Sequence, residues 1–271
     1  MWDTIIIEPF INLLLWISKL VGNFGVAIIL FTILTRIVLY PLTAKQMKST
    51  AAMQKLQSDK RYIEIQTKYK GDKEKLAQEQ MKLYQEMKIN PMASCLPTLI
   101  QFPIIIGLYQ ALIQTMATGP LDLLKLTRHI YPSFLNLAEV LPLTSKFLWM
   151  DIGIPERLNI PGLGFGIPVL AIVVVITTYI SSKIITPPQQ PGANDQGAMM
   201  GKMMNIYMPF LMGWLAWSLQ SGLALYFVTS NLVQIAQYAI SGNVHWDNVM
   251  FWKKKEAPTT AISKKTTTRG K

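Results

Sequence analysis

The pattern of apolar and polar positions divides this chain into long apolar runs separated by charged stretches. Runs at about 21–42, 94–116, 163–185, 203–219 and 222–241 approach or exceed the ~20 residues that cross a bilayer as a helix. The last two are parted only by Gln220 and Ser221, which predicts a tight helical hairpin. Ahead of them, Ile5 to Leu20 is apolar but carries Glu8, Asn12 and Lys19 on roughly one face, with Pro9 near its start. That pattern predicts an amphipathic helix at the membrane surface over 1–20. A cleaved signal peptide is the competing reading, and the lack of a basic leading region and of a small-x-small site argues against it.

The pattern changes in segment 43–93. Between 44 and 89 there is no proline, and the single glycine, Gly71, sits in a Lys-Gly-Asp turn. Both halves are rich in good helix formers. A helical hairpin over about 44–69 and 73–88 is predicted, stopped by Asn90-Pro91. Its apolar positions are too few for a stable core of its own, so mobility is expected. The fold class read from the chain is an all-α membrane protein, with five spans, an interfacial N-terminal helix and this hairpin.

Composition agrees: apolar residues make up 51% of 271, charged residues 15%. The net charge of +11 is unevenly placed. Segment 43–93 holds eleven Lys/Arg against six Asp/Glu, and the tail 242–271 holds seven against two. Segment 117–162 holds four of each, while the loop 186–202 contributes Lys202. Basic loops mark the cytoplasmic side. One arrangement satisfies all of them: N-terminus outside, 43–93 inside, 117–162 outside and tail inside. The tail, with Lys253-Lys254-Lys255 and Lys264-Lys265 among threonines, reads as disordered and attracted to anionic lipid or to ribosomal RNA phosphates.

Arg36 carries the sharpest chemistry. It is the only charge in the run 21–42, six residues from its end and therefore roughly 9 Å inside. An arginine at a helix centre costs about 2.5–3.5 kcal/mol on insertion scales, so such residues face a bundle interior or a watery cavity. Two readings stay open: an arginine snorkelling to the headgroups, or one in a polar pocket. Thr32, Arg36 and Tyr40 share a face, with Thr35 beside them. No Asp or Glu lies in a predicted span. The charge must then be met by water, backbone, hydroxyls or a visiting group.

Polar residues in the other runs are uncharged. Thr177, Thr178 and Ser181 lie on one side of the third, and Tyr226, Ser230, Gln234 and Tyr238 form a stripe on the fifth, flanked by Asn231. Gln101 points away from Gln110 and Gln114 on the second. Each amide could make a plain interhelical hydrogen bond; together with Arg36 they suggest a hydrated cavity open to the inner side. Met200, Met204, Met208 and Met212 recur every four residues, which fits ordinary packing or an adaptable apolar surface. Pro97, Pro103, Pro168 and Pro209 are expected to bend their helices.

No H-E-x-x-H, G-x-S-x-G or Walker pattern occurs, the two histidines lie outside the spans, and Cys95 stands alone. The reading is a non-enzyme without metal or cofactor. A solute channel or transporter would usually carry an intramembrane carboxylate or charge relay.

The stretches GNFGVAIILFTILTRIVLYPLTAKQMKS, NPMASCLPTLIQFPIIIGLYQAL, FLWMDIGIP and SGLALYFVTSNLVQIAQ resemble those of the YidC/Oxa/Alb membrane protein insertases, over about 2–245. The chain is similar to the short five-span form. The resemblance implies insertion of membrane proteins without covalent chemistry, through a hydrophilic groove open to cytoplasm and lipid. It implies that Arg36 attracts acidic residues of incoming segments, and that the candidate substrate-contacting set is Arg36, Thr32, Gln101, Ser181, Met208, Met212, Tyr226, Asn231 and Gln234. No mitochondrial or plastid transit peptide is evident, so a bacterial plasma membrane location is expected. The implied partners are nascent membrane proteins and lipids, with the Sec translocon, ribosome and targeting factors reached through 43–93 and the tail; DNA is not among them. A folding chaperone working beside Sec is the alternative. The chain departs from the pattern at Leu225-Tyr226-Phe227, where many members have a tryptophan, and near Ser181, where a glutamine is expected.

Overall fold

Gly22 and Asn23 part the first two helices, each in the role its chemistry suits. The computed structural model describes residues 1–57, 59–69, 71–89, 96–116, 119–131, 143–159, 166–185 and 206–242. Helix α1 (Glu8–Val21), entered through a wider turn over Asp3–Ile7, ends at Gly22 with φ +70°. The left-handed conformation at a helix end costs glycine nothing. Asn23 caps α2 (Phe24–Val38), its side-chain oxygen accepting from the Gly25 and Val26 amides at 2.9 and 3.2 Å.

The run 21–42 is therefore not one helix. It begins at Phe24 and breaks at Leu39, beyond which α3 (Tyr40–Gln57) leaves at 61°. Pro41 is the cause: it lacks the amide that would bond the Ile37 carbonyl, and its ring crowds that turn. Arg36 thus lies in the last turn of α2, not six residues from an end. Tyr40 belongs to the next helix, so it does not continue the face of Thr32 and Arg36.

The expected hairpin is present with an extra break. Asp59 caps α4 (Lys60–Lys68) by accepting from Arg61, and Asp72 caps α5 (Lys73–Glu86) by accepting from Lys75. Leu56, Tyr62 and Leu83 are buried together, with Ile65, Tyr84 and Ile89 against them, so the hairpin has a small core where none was expected.

The remaining helices are α6 (Leu96–Thr115), α7 (Pro120–His129), α8 (Val169–Ile185), α9 (Met208–Ser218) and α10 (Ser221–Ile240). Pro103 lies inside α6, but Pro209 occupies the first turn of α9 and Pro168 precedes α8. The last two start helices instead of bending them, because the first turn has no use for the missing amide. Between α7 and α8 lie two small antiparallel ladders not anticipated in an all-α reading: β1 (Lys146–Phe147) with β2 (Met150–Asp151), and β3 (Leu158–Asn159) with β4 (Gly166–Ile167). Two-residue strands leave no periodicity to read.

One apolar core joins α1, α2, α6, α8 and α10, through Leu14, Phe24, Phe31, Leu108, Val174 and Tyr226 among others. The helix expected at the membrane surface contributes Ile7, Ile11, Leu14 and Leu15 to it. Asn12, expected on the polar face of that helix, is buried. It donates to the Glu8 and His129 carbonyls and accepts from the Tyr131 amide, tying α1 to the segment after α7. On length and composition, Asp3–Val21 and Ser221–Ile240 could each cross a membrane, and the bent pair Phe24–Val38 with Tyr40–Met53 could act as a third span.

One end of the bundle is laced together by hydrogen bonds. The Asn23 amide group donates to the Lys146 carbonyl, and the Ser221 and Gly222 amides donate to the carbonyls of Ile154 and Ile152. Buried Glu156 accepts from Leu170 in the first turn of α8 and from the Trp149 indole, each at 3.0 Å. A carboxylate is favoured at such a helix start.

Candidate functional site

Away from that laced end, α2, α3, α6, α8, α9 and α10 surround an open cavity of about 210 Å³. Arg36 and Leu39 stand at the break between α2 and α3, with Leu42, Thr43 and Gln46 continuing the wall along α3. Gln101, Ile104 and Ile105 face it from α6, Ser181 and Thr178 from α8, Met208 and Met212 from α9, and Phe227, Ser230, Asn231 and Gln234 from α10. Polar groups from α2, α3, α6, α8 and α10 therefore share the lining with leucine, isoleucine, methionine and phenylalanine.

Arg36 is half-buried, and both its Nε and Nη2 donate to the Ser230 hydroxyl, the former at 2.9 Å. Among the described residues no carboxylate pairs with it. A guanidinium has five donors in a rigid fork, so one hydroxyl leaves capacity for an acceptor entering the cavity. The backbone here is also tended: Gln237 donates from Nε2 to the Arg36 carbonyl at 3.1 Å. That contact bridges α10 to the last turn of α2, beside the break that Pro41 imposes.

Seven of the nine candidate residues meet in this cavity: Arg36, Gln101, Ser181, Met208, Met212, Asn231 and Gln234. Thr32 does not. It is fully buried, and its hydroxyl turns back to the Ile28 carbonyl at 2.6 Å. Tyr226 is also buried and lies behind the wall, its hydroxyl accepting from Gln101 Nε2 at 2.5 Å. Asn231 has structural duties, donating to Thr178 at 2.8 Å and Thr177 at 3.2 Å across to α8. Met200 and Met204, the other half of the methionine repeat, lie outside the described residues, as do Cys95, the loop 186–202 and the basic tail.

Ser230 and Gln237, the two side chains that hold Arg36, are absent from the candidate set. Ser230 was visible as the i+4 neighbour of Tyr226; Gln237 carried no signal beyond being polar in an apolar run. A second recess of about 290 Å³ opens between α4 and α5 among Arg61, Glu64, Lys68, Glu79, Lys82 and Glu86. Its charges of both signs face water, and it has no connection with Arg36.

Residues 16–246 match the family described as 60Kd inner membrane protein. The membrane protein insertase YidC of Syntrophobacter fumaroxidans is 37% identical over 241 residues, covering 87% of this chain and 37% of that one. Membrane protein insertase YidC 2 of Listeria innocua is 36% identical over 247 residues, covering 89% and 72%. Membrane protein insertase MisCA of Bacillus subtilis is 34% identical over 239 residues, covering 87% and 77%. The chain thus spans little more than a third of one relative and about three quarters of the others. Among solved structures, an active YidC insertase crystal structure with the first transmembrane domain resolved matches with a TM-score of 0.52 and 27% identity, over 88% of this chain and 44% of that one.

Proposed function

The chain belongs to the 60Kd inner membrane protein family, and from that premise we propose that it is a membrane protein insertase working through the cavity around Arg36. A hydrophobic segment with an acidic flanking tail enters from the open end. Arg36 attracts the acid, and the apolar part slides outward past Met208 and Met212. Gln101, Ser181, Asn231 and Gln234 keep the cavity wet, which shortens the dry path for a charged tail. The observation that carries this reading is a half-buried arginine whose only described side-chain acceptor is one serine hydroxyl. Thr32 and Tyr226 support the wall from behind and do not touch substrate.

The energetics are of useful size. Unit charges about 4 Å apart attract by roughly 4 kcal/mol at an effective dielectric of about 20. Desolvation and side-chain ordering offset part of that, leaving the ~1.5–3 kcal/mol typical of a charge-assisted hydrogen bond.

The same proposal covers the layout. Five spans lie in a bacterial plasma membrane, with the laced end outside and the basic segments 43–93 and 242–271 in the cytoplasm. The N-terminal helix lies near the outer face, packed on the bundle. The hairpin and tail meet targeting factors, the Sec translocon or the ribosome.

The deciding experiment inserts a small substrate with an acidic outer tail into proteoliposomes containing only this protein. Protease-protected substrate with the wild type, and little with Arg36→Ala, is the expected result. No insertion by correctly oriented, folded wild type would favour a chaperone that folds helices delivered by Sec.

A further inference from the structure

The turn between β1 and β2 breaks a local rule. Lys146 pairs with Asp151 and Phe147 with Met150, which leaves Leu148 and Trp149 as a two-residue turn. Such turns need a positive φ and are normally built from glycine, asparagine or aspartate. Here Leu148 takes φ +54° and is 74% exposed, and Trp149 is 54% exposed. Ile154, just beyond the ladder, is 59% exposed.

Leu148 and Ile154 add nothing to the protein interior, and Trp149 reaches it only through its indole N–H. The inward positions are filled by their neighbours: Met150 is buried, and Phe147 lies against Gly25. A local rule broken without a local gain points to function. Nor is the tip loosely held, because the Trp149 indole donates to Glu156, whose other oxygen accepts from the start of α8. That bond leaves the ring half exposed.

Its position identifies the occupant. The ladder is lashed through the carbonyls of Lys146, Ile152 and Ile154 to the starts of α2 and α10. The tip therefore sits at the level where the apolar helices begin. Trp217, 50% exposed near the end of α9, lies at this same end, since Leu219 and Gln220 join α9 to α10. Tryptophans gather where hydrocarbon meets headgroups. Lys146 and Arg157 are exposed on either side of the tip, while Asp151 is occupied by Ser145 and the Gly153 amide.

We propose that Leu148, Trp149 and Ile154 are an interfacial anchor that dips into the leaflet at the laced end of the bundle. Acyl chains cover Leu148 and Ile154, and lipid phosphates lie beside Lys146 and Arg157. The inference rests on the embedding of the bundle proposed above, not on insertase activity.

The test is spin labelling of the full chain with Cys95 replaced by Ser, in phosphatidylethanolamine–phosphatidylglycerol vesicles. Single labels go at Leu148→Cys and Ile154→Cys, with Ile176→Cys on the exposed face of α8 as reference. Collisions with oxygen and with a water-soluble nickel chelate are compared. An oxygen-rich, nickel-poor signal at 148 and 154, as at 176, is the expected result. A nickel-rich signal at both, with 176 still oxygen-rich, overturns the anchor. Shielding of both from either reagent also overturns it, and assigns the tip to a protein contact. A nickel-rich signal at 176 itself would instead refute the embedding. Ile154 needs no positive φ, so its label stands if the turn rejects cysteine.

Discussion

At the scale of the residue, Arg36 depends on surroundings that can be varied one at a time. Arg36→Ala should lower insertion of acidic-tailed substrates by about tenfold or more, the equivalent of ~1.5–3 kcal/mol, and spare substrates with neutral tails. Arg36→Lys keeps the charge and should retain most of the activity; a loss equal to that of alanine would mean that guanidinium geometry matters. Ser230→Ala removes the acceptor of two guanidinium donors. The cavity is open, so water can replace the hydroxyl, and a loss of only a few-fold, about 1 kcal/mol, is expected. A loss matching Arg36→Ala in the same insertion assay would make Ser230 part of recognition. Thr32 shows what spacing cannot convey. An i, i+4 relation reports a shared helix face but not depth, and one turn further in the wall is closed. Tyr226 fails as a lining residue for the same reason, while Ser230, one turn along the same stripe, reaches the cavity.

At the scale of the element, the close contacts are made by glycines. A Cβ on Gly213 would lie 2.2 Å from Val175 Cγ2, and one on Gly222 would lie 2.7 Å from Ile152 Cγ2. Small residues let membrane helices approach closely. Gly213→Ala should therefore push α9 from α8 and cost about 1–3 kcal/mol, read as a lower unfolding temperature in detergent. Gly71→Ala, with open space around it, should change little. The Asp72 cap responds to pH. The Lys75 amide holds the Asp72 carboxyl below the usual carboxylate range. The cap therefore contributes fully above the free-aspartate value of about 3.9, and is lost only as pH falls through the lower folded value. Amide exchange at the start of α5, followed down in pH, should show protection persisting below ~4. These caps also explain what could be read from the chain. Asp72 is legible in the Lys-Gly-Asp turn, whereas Gly22-Asn23 and Asp59 fall inside the expected helices 21–42 and 44–69 despite their strong local preferences, and the apolar runs locate most of the helices. Pro41 was equally visible, yet a long apolar run around it outweighed one breaker. The β ladders were illegible because tertiary hydrogen bonds to α2 and α10, not strand propensity, hold their segment in place.

At the scale of the whole molecule, the two ends of the bundle differ in construction. One is laced by the bonds of Asn23, Glu156, Ser221 and Gly222, and the other opens beside Arg36. Glu156→Ala removes the acceptor of a helix-start amide and an indole. It should lower stability by about 1–3 kcal/mol and make vesicles containing the protein leak a proton gradient that the wild type holds. Tight vesicles with the alanine variant would show that Ile152 and Ile154 seal this end unaided. The 61° bend at Leu39 has its own mechanical meaning. Helix α3 leads to α4 and α5 at its far end, roughly 27 Å away, and forms a wall of the cavity near the bend through Leu42, Thr43 and Gln46. Both points lie on the same side of the bend, the doorway close to it and the helix end far from it. Were α3 to pivot at Leu39, Gln46 would move about two-fifths as far as the far end of the helix, so a displacement out there would reach the doorway beside the arginine geared down.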